Sequence, residues 1–175
     1  MINLNNATNL EIESKTNGSF QRSLSGKIRG TNKTYQYFSF SCDFNNKKIN
    51  DIFPLLESGQ EVTIQLPSNM NQTTDKSVTS GDMGFNTVSV NTSNLTLGSF
   101  VKFSNHNKLY TISAIVDGSN LRVYPELLAD VDGAAMQSSN IQLNVIRNDD
   151  LGFSVSLGGV GKINSMVFEE SLWFI

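Results

Sequence analysis

Apolar and polar side chains alternate along most of this chain with a period of two. Phe38, Phe40, Cys42 and Phe44 point one way, and Tyr37, Ser39, Ser41 and Asp43 the other. That is the pattern of a strand with one buried face. Val62, Ile64 and Leu66 repeat it, as do Ile141, Leu143 and Val145, and then Leu151, Phe153, Val155 and Leu157. The run 165–175 sets Met166, Phe168, Leu172 and Phe174 on one face, with Glu170 among them. Val167, Trp173 and Ile175 lie on the other face, with Glu169 and Ser171. A strand this apolar on both faces is expected inside a sheet or against a neighbouring subunit. Only 47–58 takes a helical period, through Ile49, Ile52, Phe53, Leu55 and Leu56. Asn50 or Asp51 would cap that helix, Pro54 would fall in its first turn, and Ser58-Gly59 would stop it.

Two polar stretches interrupt the pattern. Residues 69–84 and 132–140 have almost no apolar period and read as linkers or exposed loops. Between them the alternation is dense. Val88 and Val90 open a strand, and Leu95, Leu97 and Gly98 lead into Phe100, Val101 and Phe103. Asn105-His106-Asn107 makes a turn; Tyr110, Ile112, Ala114 and Val116 share a face. Asp117-Gly118 is a hairpin turn, and Leu121, Val123 and Tyr124 run to Pro125. The reading is all-β with one short helix. An outer β-barrel or sandwich domain, 1–75 plus 139–175, carries an inserted small β-barrel, 76–138. Insertion at exposed loop tips is the common way such an arrangement arises.

Composition narrows the chemistry. Charged residues make up 17% of the chain and the net charge is −3. A nucleic-acid partner needs a concentrated basic surface, and Lys27, Arg29 and Lys33 are too sparse to supply one. Lys47 and Lys48 read as the solvated start of the helix. The one cysteine, Cys42, falls on an apolar strand face and reads as a buried, inert thiol. The start of the chain lacks the basic and apolar regions of a signal peptide, and no apolar run approaches the ~20 residues of a membrane span. These features suit a soluble protein made in a cytoplasm.

No catalytic constellation stands out. His106, the one histidine, reads as an exposed turn residue, and with one His and one Cys no Cys/His metal site is available. Glu169 and Glu170 are adjacent on a strand and face opposite ways, so they are not an acid/base pair. Asp149-Asp150 reads as a solvated turn. Asp117, Asp130 and Asp132 are too scattered for a calcium loop. Gly158-Gly159-Val160-Gly161 separates two strands and reads as a β-turn, since a phosphate loop opens a helix. The aromatic residues Trp173, Tyr35, Tyr37 and Phe20 could line a sugar-binding face, anchor a subunit interface or pack in the core.

The order of parts resembles a known family. A short basic strand from Arg22 to Arg29 precedes an aromatic strand and a helix ending at Gly59, then a strand ending Gln65-Leu66-Pro67. The insert carries Gly98-x-Phe-Val-x-Phe followed by Lys108-x-Tyr-x-Ile, and closes on Val123-Tyr124-Pro125. The chain ends in a strand through Phe168-Glu169-Glu170. This resembles tail-tip or baseplate structural proteins of tailed bacteriophages, of the distal-tail or hub-like β-barrel type. The resemblance implies a non-enzymatic virion protein without cofactor, made in the host cytoplasm. It implies assembly into a ring, hexameric or trimeric, that joins adjacent tail-tube, hub or baseplate proteins, with no nucleic acid and no membrane as partner. The residues expected at contacts are Phe168, Leu172, Trp173, Phe174 and Ile175, with Tyr35 and Tyr37 after them. A carbohydrate- or receptor-binding β module of a virion is the alternative.

Overall fold

Alternation in Tyr35–Lys48 produces the longest strand in the computed structural model, and the fold is organised around it. The structure describes residues 1–17, 20–22, 28–30, 35–48, 59–70, 75–148, 153–155 and 160–171. The described residues are almost entirely β, with two single-turn 3₁₀ segments at Leu4–Asn6 and Ser68–Met70. The strands are β1 (Ile2–Asn3), β2 (Thr8–Asn17), β3 (Phe20–Arg22), β4 (Ile28–Gly30), β5 (Tyr35–Lys48), β6 (Glu61–Gln65), β7 (Lys76–Ser80) and β8 (Thr87–Val90). They continue as β9 (Phe100–Phe103), β10 (Leu109–Ile115), β11 (Asn120–Tyr124), β12 (Ala135–Gln137), β13 (Gln142–Arg147), β14 (Phe153–Val155) and β15 (Val160–Glu170).

Both ends of the chain build one seven-stranded sheet in the order β1-β6-β13-β15-β5-β2, with β14 also paired to β15. β15 is long enough to hold β13 at residues 168–170 and β14 at 161–163, while β5 runs along it from Val160 to Glu169. The inward row is the one the alternation marks. Phe38, Phe40, Cys42, Phe44, Ile64, Leu143, Val145, Ile163, Met166 and Phe168 are all buried in one cluster. Each such side chain contributes roughly 1.5–3 kcal/mol by leaving water.

The middle of the chain closes on itself. Six antiparallel strands, β10-β11-β8-β7-β12-β9, form a closed barrel. Its interior holds Val78, Val88, Val90, Val101, Phe103, Tyr110, Ile112, Leu121, Val123 and Met136, with Leu127 and Val131 from the connection after β11. Gly98 sits at φ +79, where a Cβ would be strained, and its N–H donates to Ile112 O across 2.9 Å. That explains the glycine before Phe100. The chain enters and leaves the barrel at one place. β7 pairs with β12, and Asp75 Oδ1 accepts from the Ser138 N–H, the Ser139 N–H and the Ser139 hydroxyl at 2.9–3.1 Å.

The architecture corrects several local expectations. Residues 69–84 and 132–140 are not linkers throughout, since β7 and β12 lie within them and complete the barrel. Each of these strands buries one large apolar side chain, Val78 or Met136, too few to register as a period. Lys47 and Lys48 do not start a helix; they extend β5 and pair with Gly161 and Val160. The rest of the expected helix, 49–58, lies outside the described residues. The basic strand expected from Arg22 to Arg29 is instead β3 and β4, paired antiparallel with Gln21 opposite Arg29. In the glycine-rich turn, Val160 and Gly161 already belong to β15; Gly158 and Gly159 lie outside the described residues.

Candidate functional site

The two layers meet where the turn after β9 and the start of β10 touch the end of β15. Glu170 ends the inward row of β15, following Met166 and Phe168, and a carboxylate there must find donors or remain costly. It finds three. The Lys108 ammonium reaches Oε2, the Phe38 N–H donates to Oε2 at 2.7 Å, and the Leu109 N–H donates to Oε1 at 2.5 Å. Both charged side chains are shut from solvent, at 2% exposure for Lys108 and 0% for Glu170. Burial pushes the Glu170 carboxyl up, opposed by the Lys108 charge and by the three hydrogen bonds. Burial pushes the Lys108 ammonium down, opposed by Glu170. Three donors converging on one carboxylate favour its ionised form.

Apolar and amide contacts surround this pair. Leu109 belongs to the core cluster of the sheet although it begins a barrel strand. The rings of Phe38 and Phe100 meet edge-on with centroids 5.8 Å apart, and Lys108 Nζ lies 4.9 Å from the Phe38 centroid. The Asn107 amide donates to Asn144 O and Ser171 O at 2.8 and 2.9 Å, and its oxygen accepts the Asn144 N–H at 2.9 Å. One side chain thereby acts as an extra strand residue between barrel and sheet. Tyr124 adds a peripheral contact, its hydroxyl 3.3 Å from Ser14 Oγ of β2.

His106 is partly buried, not the exposed turn residue expected. Burial, with the charges of Lys102 and Lys108, lowers its pKa from 6.5 to about 4. The neighbouring bonds fix its tautomer. Asn105 Nδ2 donates to Asp130 O, so its Oδ1 faces the ring and accepts from His106 Nδ1 at 2.9 Å, which places the ring proton there. Nε2 then accepts the Tyr110 hydroxyl proton across 2.7 Å, while that hydroxyl accepts the Leu128 N–H at 2.9 Å. The relay ties the turn after β9 to the 128–130 segment. Burial holds the Tyr110 hydroxyl above its ordinary range; the Leu128 N–H opposes this and the Glu170 charge adds to it. Both rings are accounted for by these structural bonds.

The residues expected at contacts are scattered. Phe168 is 1% exposed in the sheet core, so it packs within the chain and offers no surface to a neighbour. Tyr37 is half-buried on the opposite face, where burial and then the nearby Glu169 charge raise its pKa. Tyr35 opens β5 opposite Asn17. Leu172, Trp173, Phe174 and Ile175 lie outside the described residues. Sequence reasoning missed Asn107, Lys108, Glu170 and Tyr124 as the residues of the junction. Glu170 carried a signal, a carboxylate in an apolar row; Lys108 and Asn107 carried none, since they sit at a turn.

Three further features stand out among the described residues. The ten-residue β2 has β5 as its sole partner among the described residues, none of which pairs with its other edge. At the far end of the same sheet, β1 covers β6 at Ile64 and Gln65 only, leaving Glu61–Thr63 without a second neighbour among those residues. A cleft of about 730 Å3 lies between barrel and sheet, with Gln36, Asn86, Tyr124, Glu126 and Leu128 in its lining. Among the described residues no group of three or more His, Cys, Asp or Glu side chains could hold a metal ion, and no helix is long and apolar enough to cross a membrane. No protein-family model matches the sequence, and no curated protein is significantly similar to it.

Proposed function

We propose that this chain is a structural component of a bacteriophage tail, of the distal-tail or baseplate kind, that assembles into a ring and joins neighbouring tail proteins. The observation that carries the assembly is a pair of edges, at opposite ends of one sheet, that no described strand covers. An open edge presents a row of N–H and C=O groups that pairs readily with another strand. Two different edges on one protomer make a heterologous contact, which closes into a ring when the rotation between copies allows. β2 of one copy would pair against Glu61–Thr63 of the next. The junction of buried ion pair, Asn107 and Phe38–Phe100 supports an adaptor role, because it holds the barrel against the sheet for a further tail protein to dock on.

Native mass spectrometry of the full chain tests this, with one closed oligomer as the expected species. Glu13→Pro and Ser14→Pro sharpen the test. Successive N–H groups of a strand point to opposite edges, so one of these prolines removes a bond to β5 and the other only an outward N–H. The outward variant should keep its far-UV circular dichroism and lose the oligomer. A chain that stays monomeric alone and beside purified tail components would overturn the proposal.

A further inference from the structure

We propose that the cleft beside Tyr124 binds a neutral, hydroxylated ligand of the saccharide class. Its volume of about 730 Å3 falls within the roughly 300–1,000 Å3 common for small-molecule sites. Both layers contribute: Gln36 comes from β5 of the sheet, and Asn86, Tyr124 and Glu126 from the barrel segments. Tyr124 is 42% exposed while its hydroxyl meets Ser14 Oγ. It therefore presents a flat apolar face held at one angle, of the kind that covers the C–H face of a pyranose ring. Met83, 53% exposed, extends that surface.

The polar part of the lining fits hydroxyl groups. The side chains of Gln36, Asn86 and Glu126 make no hydrogen bond with any described residue. Two amides and a carboxylate offer donors and acceptors together, and a vicinal diol needs both. Charge selects against an anion. Among the described lining residues Lys108 is the one cation and its ammonium already serves Glu170, whereas Glu126 would repel a phosphate, sulfate or carboxylate. Tyr124 touches the edge strand β2 through Ser14, but none of the cleft's lining residues named above lies on β1, β2 or β6, so binding is read separately from ring assembly.

The test uses the full chain on an array of neutral hexose and N-acetylhexosamine oligosaccharides, with hits measured by titration calorimetry. Tyr124→Ala should weaken a hit by about tenfold or more, and Tyr124→Phe, which keeps the ring face, by only about threefold. Asn86→Ala should weaken it as well, with the circular dichroism and the oligomeric mass unchanged in all three variants. The proposal fails if no neutral oligosaccharide binds at millimolar concentration. It fails too if binding survives both Tyr124→Ala and Asn86→Ala, or if sulfated or sialylated glycans bind better than their neutral parents.

Discussion

Glu170 ties β15 to two other parts of the chain through a single carboxylate: the β5 backbone at Phe38, and the start of β10 through the Leu109 N–H and the Lys108 side chain. Removing a partner from a buried pair leaves a charge or a set of N–H groups without compensation, so Glu170→Ala should cost about 3–5 kcal/mol in urea unfolding. Lys108→Met should cost somewhat less, since Glu170 keeps its two backbone donors. Tyr110→Phe strands the Leu128 N–H and removes the proton given to His106, a loss of about 1–3 kcal/mol by the same measurement. His106 sets a pH dependence. Between pH 6.5 and about 4 the unfolded chain takes up a proton on this ring that the folded chain does not. Stability therefore rises with pH across that window, by at most about 3 kcal/mol, and levels off above it. His106→Gln keeps an acceptor for Tyr110 and should flatten this part of the profile. At this scale the sequence was informative for Glu170, whose charge interrupts the apolar row of Met166 and Phe168. It was silent on Asn107 and His106, because a turn's polar residues look alike until the partner layer is present.

At the level of elements, alternation was a sound guide where a strand buries two or more side chains, as β5, β13 and β15 do. It failed for β7 and β12, whose single inward residues cannot make a period. Bulges blurred it too. The register of β10 against β11 shifts between Ile112 and Ala114, and beyond that point Ile115 and Val116 project into solvent instead of continuing the inward row of Tyr110 and Ile112. Close packing at the connection after β11 yields a sharp prediction. A Cβ on Gly81 would stand 2.7 Å from Val131 Cγ2 and 3.1 Å from Leu127 Cδ1. Gly81→Ala should therefore destabilise by about 1–3 kcal/mol, read as a lower denaturation midpoint at unchanged slope.

For the whole molecule, the sheet and the barrel are expected to unfold together. Leu109 belongs to one layer by sequence and to the core of the other by packing, and the ion pair bridges both. Fluorescence and circular dichroism should give coincident urea transitions in the native chain, and Lys108→Met should pull the two apart. The strand-rich class could be read from the alternation. The docking of one part on the other could not, since it depends on a polar pair and an amide that have no periodic signature. The shared neck at Asp75 and Ser138–Ser139 brings a consequence for how such a protein can be cut and rejoined. Because both crossings lie side by side, the segment between them is a cassette that could be transplanted into another host loop with scarcely any spacer. The donor left behind is less forgiving: once the cassette is gone, Glu170 loses Lys108 and the Leu109 N–H, and the sheet core loses the cover of Leu109 and Phe100, so a viable deletion must also remake that end of the sheet.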